Sequence, residues 1–344
     1  MTRSSRQFPA SIALSVAAAD ARGTDGASVD LHLGLDLGAT NLKWAVVEHT
    51  RGRWRQLDRG QLPTRAGGGP DAVVGQLAEV VGRVAAAHPG VASVGIGVPG
   101  LYDPGTGRTR FLPNIPGDWA GRPVAEPVRA AVGIPTVLIN DARAFGLAEL
   151  RLGAARGVRS MIGMTLGTGV GGAVAFGGRI YLGLDGTAGE IGHQTLDPEG
   201  LACNCGNRGC LEAYARADRI ANLCGTASVE EAVARARAGD ERARDGLAEV
   251  GRCLGIGIAN MIVVLTPERV VIGGGVSGAG ELILAPIRRE LAARVRVTAV
   301  ECVQLVVAEL GTWAGAVGAA IYGAEQAAPG RRTPGRSRPW ARPR

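Results

Sequence analysis

The chain has 344 residues, 46% of them apolar and 20% charged, so it can bury sizeable cores and is long enough for two domains. The formal net charge is +7, but six arginines lie in the last eighteen residues and the segment 29–326 is neutral overall. A neutral body argues against a nucleic-acid-binding fold. No apolar run approaches the ~18 residues that cross a bilayer, so the sequence predicts no membrane span.

Both chain ends are predicted to lie outside the folded body. Residues 1–28 show little hydrophobic periodicity and only loosely imitate a signal peptide, so we expect a disordered extension. Residues 327–344 are rich in Pro and Arg and predict a basic, disordered tail. Between them we expect an N-terminal α/β domain over 29–140 and a C-terminal α/β domain over 141–326.

The strongest periodicity belongs to two predicted β-hairpins with tight glycine turns. Leucines alternate with other residues before the turn at Gly38–Asn41, and a second extended segment follows it. The same design recurs at 161–176 around a Gly-Thr-Gly turn, which suggests an internal duplication. The remaining pattern predicts strands at 91–99, 134–140 and 269–276, a long loop at 101–122, and helices at 71–88, 141–153, 229–238, 241–265, 280–295 and 312–325.

The two glycine turns predict a phosphate clamp. Their small residues let backbone N–H groups approach phosphate oxygens closely, and Thr40 and Thr168 each add a hydroxyl donor. Asp36 precedes the first turn by two residues and could hold Mg²⁺ directly or through water. Two ordinary hairpins are the alternative, but the matched pair and a third glycine cluster at 273–275 favour phosphate binding.

One glycine pattern is rejected as a nucleotide site. Gly95, Gly97 and Gly100 match the spacing of the dinucleotide-binding fingerprint after a predicted strand. That fingerprint requires a helix directly afterwards, with its N-terminus at the pyrophosphate. The residues LYDPGTG that follow cannot begin a helix.

Asn140 and Asp141 lie where a predicted strand gives way to a helix. Both residue types are favoured as helix N-caps, which is the structural interpretation. In the functional interpretation, Asp141 is the base that takes the proton from an attacking hydroxyl, and the helix N-terminus keeps it ionised. The local pattern does not separate the two.

His193, Cys203, Cys205 and Cys210 carry the strongest local signal. One imidazole and three thiolates within eighteen residues match a closed tetrahedral Zn²⁺ site, and a closed site indicates a structural metal. The alternative is a loop with free thiols.

Five motifs, in the same order, together resemble the ROK family of sugar kinases: LGLDLGATNLKWAVVE, LINDARAFGLAE, TLGTGVGG, GEIGHQTLDPEGLACNCGNRGCLE and VVIGGGVSGAG. The resemblance extends from Leu31 to Gly323. It implies two ribonuclease-H-like domains of the actin/hexokinase type around a cleft, with a zinc-knuckle insert at 190–214. It also implies a last helix that can pack back on the N-terminal domain.

The resemblance implies an ATP-dependent kinase that phosphorylates the primary hydroxyl of a hexose, most simply glucose to glucose 6-phosphate, with Asp141 as general base. The implied sugar contacts are Asn114, Asn140, Asp141, Glu190, His193 and Glu212. The implied Mg–ATP contacts are Asp36, Gly38, Thr40, Asn41, Lys43, Gly167, Thr168 and Gly169, with Gly274 and Gly275 at the adenosine. His193, Cys203, Cys205 and Cys210 would bind zinc, with one ring nitrogen of His193 on the metal and the other toward the sugar. A cytoplasmic homodimer or homotetramer is expected by the same analogy.

Two departures from the family pattern and several alternatives stay open. Ala39 replaces a glycine of the first turn, which is a mild change if its φ is negative, and Asp118 separates Gly117 from Trp119 near the expected sugar site. Another hexose, an N-acetylhexosamine or a sugar-like cyclitol could be the acceptor, and polyphosphate could replace ATP. A sugar-sensing regulator is the weaker alternative, since residues 1–28 are too short for the helix-turn-helix domain of the family's repressors.

Overall fold

The structure is a computed structural model that describes residues 29–328, so the predicted extension and nearly all of the predicted tail lie outside the described residues. The first half contains β1 Asp30–Leu37, β2 Asn41–Thr50, β3 Arg53–Pro63, α1 Gly69–Ala87, β4 Val91–Val98, β5 Leu101–Asp103, β6 Arg108–Phe111, α2 Ala125–Val132 and β7 Thr136–Asn140. The second half contains α3 Asp141–Arg151, β8 Met161–Leu166, β9 Val170–Phe176, β10 Arg179–Ile180, α4 Leu211–Ala215, α5 Ala217–Cys224, α6 Val229–Arg237, α7 Glu241–Leu265, β11 Arg269–Gly273, α8 Glu281–Arg294, β12 Gln304–Val307 and α9 Ala314–Ala327.

Each half of the chain contains a five-stranded mixed sheet, and the two sheets have the same strand arrangement. The first sheet has the order β3-β2-β1-β4-β7, and the second has the order β10-β9-β8-β11-β12. In each sheet the first three strands along the chain pair antiparallel, and the later two lie parallel to the first strand. The predicted duplication therefore extends from the hairpins to the whole sheets. Each glycine turn connects the equivalent pair of strands, β1 and β2 in the first sheet and β8 and β9 in the second.

The predicted hairpins are confirmed, whereas the loop predicted over 101–122 is partly wrong. A small antiparallel hairpin, β5–β6, lies inside that stretch. Its turn forms because the Asp103 carboxylate accepts the backbone N–H groups of Gly105 and Thr106, and Gly107 adopts a φ of +65°. Strands of three and four residues are too short to show a period-two pattern. Strand β3 and helix α2 were not predicted either.

Helix α9 packs closely against the first sheet because the strand positions that face it are glycines. A Cβ at Gly34 of β1 would collide with the carbonyl oxygen of Ala316, and one at Gly95 of β4 with that of Ala319. On the other side of α9, a Cβ at Gly318 would collide with the carbonyl oxygen of Ala144 in α3. Gly95, part of the rejected fingerprint, is thus needed for helix–sheet packing.

Helix α7 is long and apolar enough to span a membrane by length and composition alone. Within its most apolar window, 56% of the residues are buried inside the fold. It packs against α5, α6 and α8, so its buried apolar residues belong to the core of the second half, whereas Val263 and Val264 near its end are exposed.

Candidate functional site

The first glycine turn leaves small residues exposed between β1 and β2. The N–H of Gly38 donates to the carbonyl of Asn41 (3.1 Å), and the Thr64 hydroxyl donates to the carbonyl of Gly38 (2.7 Å). Ala39 and Thr40 at the tip are exposed. Ala39 has no positive φ, so its methyl group adds no backbone strain. The replacement of a glycine is therefore compatible with this turn.

The second glycine turn is held by hydrogen bonds to the insert and to α5. The N–H of Val170 donates to Glu212 Oε2 (2.9 Å), and the N–H of Ala217 donates to the carbonyl of Gly167 (2.8 Å). A Cβ at Gly169 would collide with the Glu212 carboxylate, which explains the glycine there. Thr168 at the tip is exposed, as Thr40 is in the first turn.

Asp36 and Lys43 are cross-strand partners beside the first turn. Burial raises the pKa of Asp36, and the Lys43 ammonium opposes that rise. The carboxylate lies against the start of α9, where a Cβ at Gly315 would come within 2.6 Å of Asp36 Oδ2. Lys43 Nζ donates to the carbonyl of Thr312 (3.0 Å), just before α9. Carboxylate oxygens are ligands that Mg²⁺ prefers, so this donor chemistry fits a magnesium ion at the first turn.

The sequence left open whether Asn140 and Asp141 act as a helix N-cap or as part of a catalytic site, and the structure assigns the cap to Asn140. Asn140 is the N-cap of α3: its Oδ1 accepts the N–H groups of Ala142 (3.0 Å) and Arg143 (3.2 Å), and its Nδ2 donates to the carbonyl of Gly100 (3.1 Å). Asp141 is the first residue of α3, and its Oδ1 accepts the N–H of the next residue, Ala142 (2.8 Å). The expectation that the helix N-terminus keeps Asp141 ionised is wrong, because burial raises its pKa to about 7 and the Asp36 carboxylate adds to the rise. The N–H of Ala142 and the Arg143 guanidinium act in the opposite direction.

Arg143 is a site residue that sequence reasoning missed. Its side chain is 1% exposed, and its Nη2 lies 2.8 Å from Glu190 Oε1. Its Nη1 also donates to Asn140 Oδ1 (2.9 Å). The available signal was a charged residue inside the otherwise apolar stretch of α3. The structure thereby brings Glu190 beside Asn140 and Asp141.

The four predicted zinc ligands converge within the insert. Their ligand atoms all lie within 4.8 Å of one another. His193 Nδ1 is 3.8 Å from Cys203 Sγ, and Cys205 Sγ is 3.7 Å from Cys210 Sγ. Zn–S bonds of about 2.3 Å in a tetrahedron place ligand atoms roughly 3.8 Å apart, so the residues fit zinc. Glu212 Oε1 lies 4.0 Å from Cys203 Sγ, so its carboxylate lies between this cluster and the second turn.

A cavity of about 260 Å³ opens beside the second turn. Gly167 and Thr168 line one wall, the starts of α5 and α6 line another, and Gly275 also lines the cavity. Gly274 has a φ of +83°, and a Cβ there would collide with the backbone of Leu166, so this backbone approach requires glycine. Apart from Thr168, the polar residues of the lining were not predicted from sequence; they are Asp218, Ser228 and Glu230.

The remaining predicted sugar contact is Asn114. It is exposed on the loop between β6 and α2. On the same loop, Trp119 is buried, and its Nε1 donates to the carbonyl of Ile115 (3.1 Å). The neighbouring Asp118 accepts the N–H of Ala120 (3.1 Å) and is exposed. The extra residue is therefore absorbed by a local turn while Trp119 stays in the core.

The protein has two mixed sheets of the same arrangement, each with a glycine turn, and an aspartate begins the helix between them. This α/β architecture is consistent with the actin/hexokinase-like fold. A family model described as the ROK family matches residues 32–325, and the chain belongs to this family.

Curated relatives include three kinds of protein. A glucokinase of Streptomyces coelicolor is 34% identical over 84% of this chain and 96% of its own length. An N-acetylmannosamine kinase of Citrobacter koseri is 34% identical over 84% of this chain and 97% of its length. A putative xylose repressor of Caldicellulosiruptor sp. is 31% identical over 68% of this chain but only 63% of its own length.

Similar solved structures include two sugar kinases. A ROK hexokinase from Thermus thermophilus has a TM-score of 0.74 and 36% identity, covering 86% of this chain and 98% of its own. A ROK family glucokinase from Streptomyces griseus in complex with glucose and AMPPNP has a TM-score of 0.73 and 32% identity, covering 86% of this chain and 99% of its own.

Proposed function

We propose that the chain is an ATP-dependent sugar kinase that transfers a phosphoryl group to the primary hydroxyl of a hexose, with glucose as the first candidate. The observation that carries this proposal is Asp141, a carboxylate at the start of α3 whose pKa is raised to about 7. A base with that pKa suits proton transfer near neutral pH. The glucokinase relatives and the glucose–AMPPNP complex of the Streptomyces griseus protein support this substrate pair.

In this proposal the chain's residues divide between donor and acceptor. Asp141 accepts the proton of the attacking hydroxyl, because a loose phosphoryl-transfer transition state needs a well-placed acceptor. Backbone N–H groups and the hydroxyls of Thr40 and Thr168 bind phosphate oxygens at the two turns. The cavity beside Gly275 takes the nucleoside. Mg²⁺, held near Asp36, would neutralise phosphate charge. The remaining donor-side residues are Gly38, Asn41, Lys43, Gly167, Gly169 and Gly274.

The acceptor side combines Glu190, His193 and Glu212 of the insert with Asn114 and the start of α3. Glu190 lies beside Asn140 and Asp141, and Asn114, on its exposed loop, is proposed as a further sugar contact. His193 directs Nδ1 to Cys203, so Nε2 is the nitrogen proposed for a sugar hydroxyl. Glu212 Oε2 accepts the N–H of Val170, and Oε1, which lies 4.0 Å from Cys203 Sγ, is the proposed sugar contact.

Zinc is proposed as a structural ion held by His193, Cys203, Cys205 and Cys210. Its four positions would be filled by protein, so it supplies rigidity to the insert and no chemistry. We also place a domain boundary at 140/141 and expect a cytoplasmic homodimer or homotetramer. The last helix, α9, would belong with the N-terminal domain, as its packing on β1 and β4 supports.

Other acceptors are the second candidate. The N-acetylmannosamine kinase relative favours a hexosamine, and a cyclitol or another hexose would meet the same polar groups. A sugar-sensing regulator is weaker, because the chain has both glycine turns and the Asp141 carboxylate that phosphoryl transfer would use.

The deciding experiment measures ADP release by zinc-loaded protein with Mg–ATP over a panel of hexoses, N-acetylhexosamines and cyclitols, with polyphosphate as a second donor. We expect turnover on glucose. Turnover only on another acceptor would replace glucose with that acceptor. Sugar binding without turnover on any panel member would reject the kinase in favour of the regulator.

A further inference from the structure

The inner side of α3 carries a buried charge that the proposed chemistry does not use. Arg143 lies two residues after Asp141, and its side chain is 1% exposed. Burying a guanidinium is costly unless it is paired and hydrogen-bonded. Its partners therefore show what holds the charge in this position.

The partners of Arg143 come from two segments far apart in sequence. At the start of α3, its Nη1 donates to Asn140 Oδ1 at 2.9 Å. On the segment before Glu190, its Nε donates to the carbonyl of Ala188 (2.9 Å) and its Nη2 to that of Thr187 (2.7 Å). Its Nη2 also pairs with Glu190 Oε1 at 2.8 Å. One planar side chain thus joins the residues on both sides of Asp141.

The geometry points to Arg143 as a positioning residue that holds Glu190 and Asn140 in place for the acceptor sugar. This inference rests on the proposed function, because it concerns the acceptor side of the same site. Glu190 is 35% exposed, so its carboxylate is paired with Arg143 and still reaches solvent, where an acceptor could bind. Arg143 itself is too deeply buried to contact the acceptor.

The chemistry of the guanidinium makes this role specific to arginine. A planar fork can donate to a carboxylate, a carboxamide and two carbonyls at once in fixed directions. A lysine ammonium keeps the charge but has at most three donors and no fixed plane. Arg143→Lys therefore preserves the electrostatics and loosens the orientation of Glu190.

The test compares Arg143→Lys and Arg143→Met with the parent enzyme, using KM for the acceptor, KM for ATP, and calorimetric sugar binding without ATP. We expect both variants to raise the acceptor KM and weaken sugar binding by about tenfold or more, with the ATP KM within about twofold of the parent. Arg151→Met is the matched control. Arg151 lies on the same helix, pairs with Glu325 at 2.6 Å and donates to the carbonyl of Gly178 at 2.8 Å. It should lower the melting temperature and leave both KM values within about twofold.

A double-mutant cycle separates positioning from general damage. If Arg143 acts through Glu190, Arg143→Lys should cost much less sugar affinity in a Glu190→Gln background than in the parent. Equal costs in the two backgrounds, or unchanged sugar binding in Arg143→Lys, would overturn the proposal. Should Arg143→Met not fold, the lysine variant and the cycle still decide the question. The sugar panel on the parent tests the proposed function separately, and calorimetry tests Arg143 without any turnover.

Discussion

Arg110 of the β5–β6 hairpin reaches across to Asp185, with Arg110 Nη1 3.2 Å from Asp185 Oδ2. Asp185 also accepts the hydroxyl of Thr187 at 2.6 Å, and the carbonyl of Thr187 is held by Arg143. A chain of polar contacts therefore extends from a hairpin of the first half to the residues beside Glu190. This arrangement joins the two halves on the proposed acceptor side.

Arg110→Met should weaken acceptor binding without affecting ATP. Loss of the ion pair frees the segment before Glu190 at its Asp185 end, and we expect the acceptor KM to rise about three- to tenfold, because misplaced contacts weaken binding. Steady-state kinetics with each substrate varied in turn provides the measurement. Arg55→Met, which breaks the exposed pair with Glu48, is the control and should change neither KM. Equal increases in both KM values would show that the pair does not act on the acceptor side alone.

The rate of the kinase should depend on an ionisation near pH 7. Burial and the neighbouring Asp36 carboxylate raise the pKa of Asp141 to about 7, and only the ionised form can accept a proton. We expect kcat/KM to fall about tenfold per pH unit below that value and to level off above it. Asp141→Asn should lose about 10²- to 10⁴-fold in kcat and retain sugar binding. A variant that turns over normally would reject Asp141 as the base.

The same raised pKa should appear in protein stability. The folded carboxyl binds its proton more tightly than the unfolded one, so the folded state holds more protons between about pH 4 and pH 7. Stability from this group therefore falls as pH rises through that window. Asp141→Asn should melt a few degrees higher than the parent at pH 8, and the difference should vanish toward pH 4. A difference independent of pH would mean that Asp141 is not the group responsible.

Zinc should be required for a stable insert. Cys205→Ser removes one of four proposed ligands, so we expect less than one zinc per chain by elemental analysis, a lower melting temperature and weaker sugar binding. Cys302→Ser is the control, since Cys302 is exposed and outside the cluster. A parent protein that purifies without zinc and shows no change in melting when zinc is added or chelated would contradict a structural metal.

Local patterns predicted much of the fold and the grouping of the Cys/His cluster. Alternating leucines and small turn residues specified both hairpins, because period-two burial and turn geometry depend on neighbours in sequence. The Cys/His spacing likewise predicted the cluster, since its four donors come from eighteen consecutive residues. The short β5–β6 hairpin was missed because its strands have three and four residues.

The sequence by itself determined which chemical groups are present: a carboxylate at a helix start, two glycine turns and a Cys/His cluster. Only the tertiary structure decided that Asn140 is the cap and Asp141 is left with a raised pKa, that Glu190 is held by Arg143, and that Asp218 and Glu230 line a cavity. The reason is physical. Burial, ion pairing and cavity shape depend on which distant elements pack together, and spacing along the chain carries no record of that packing.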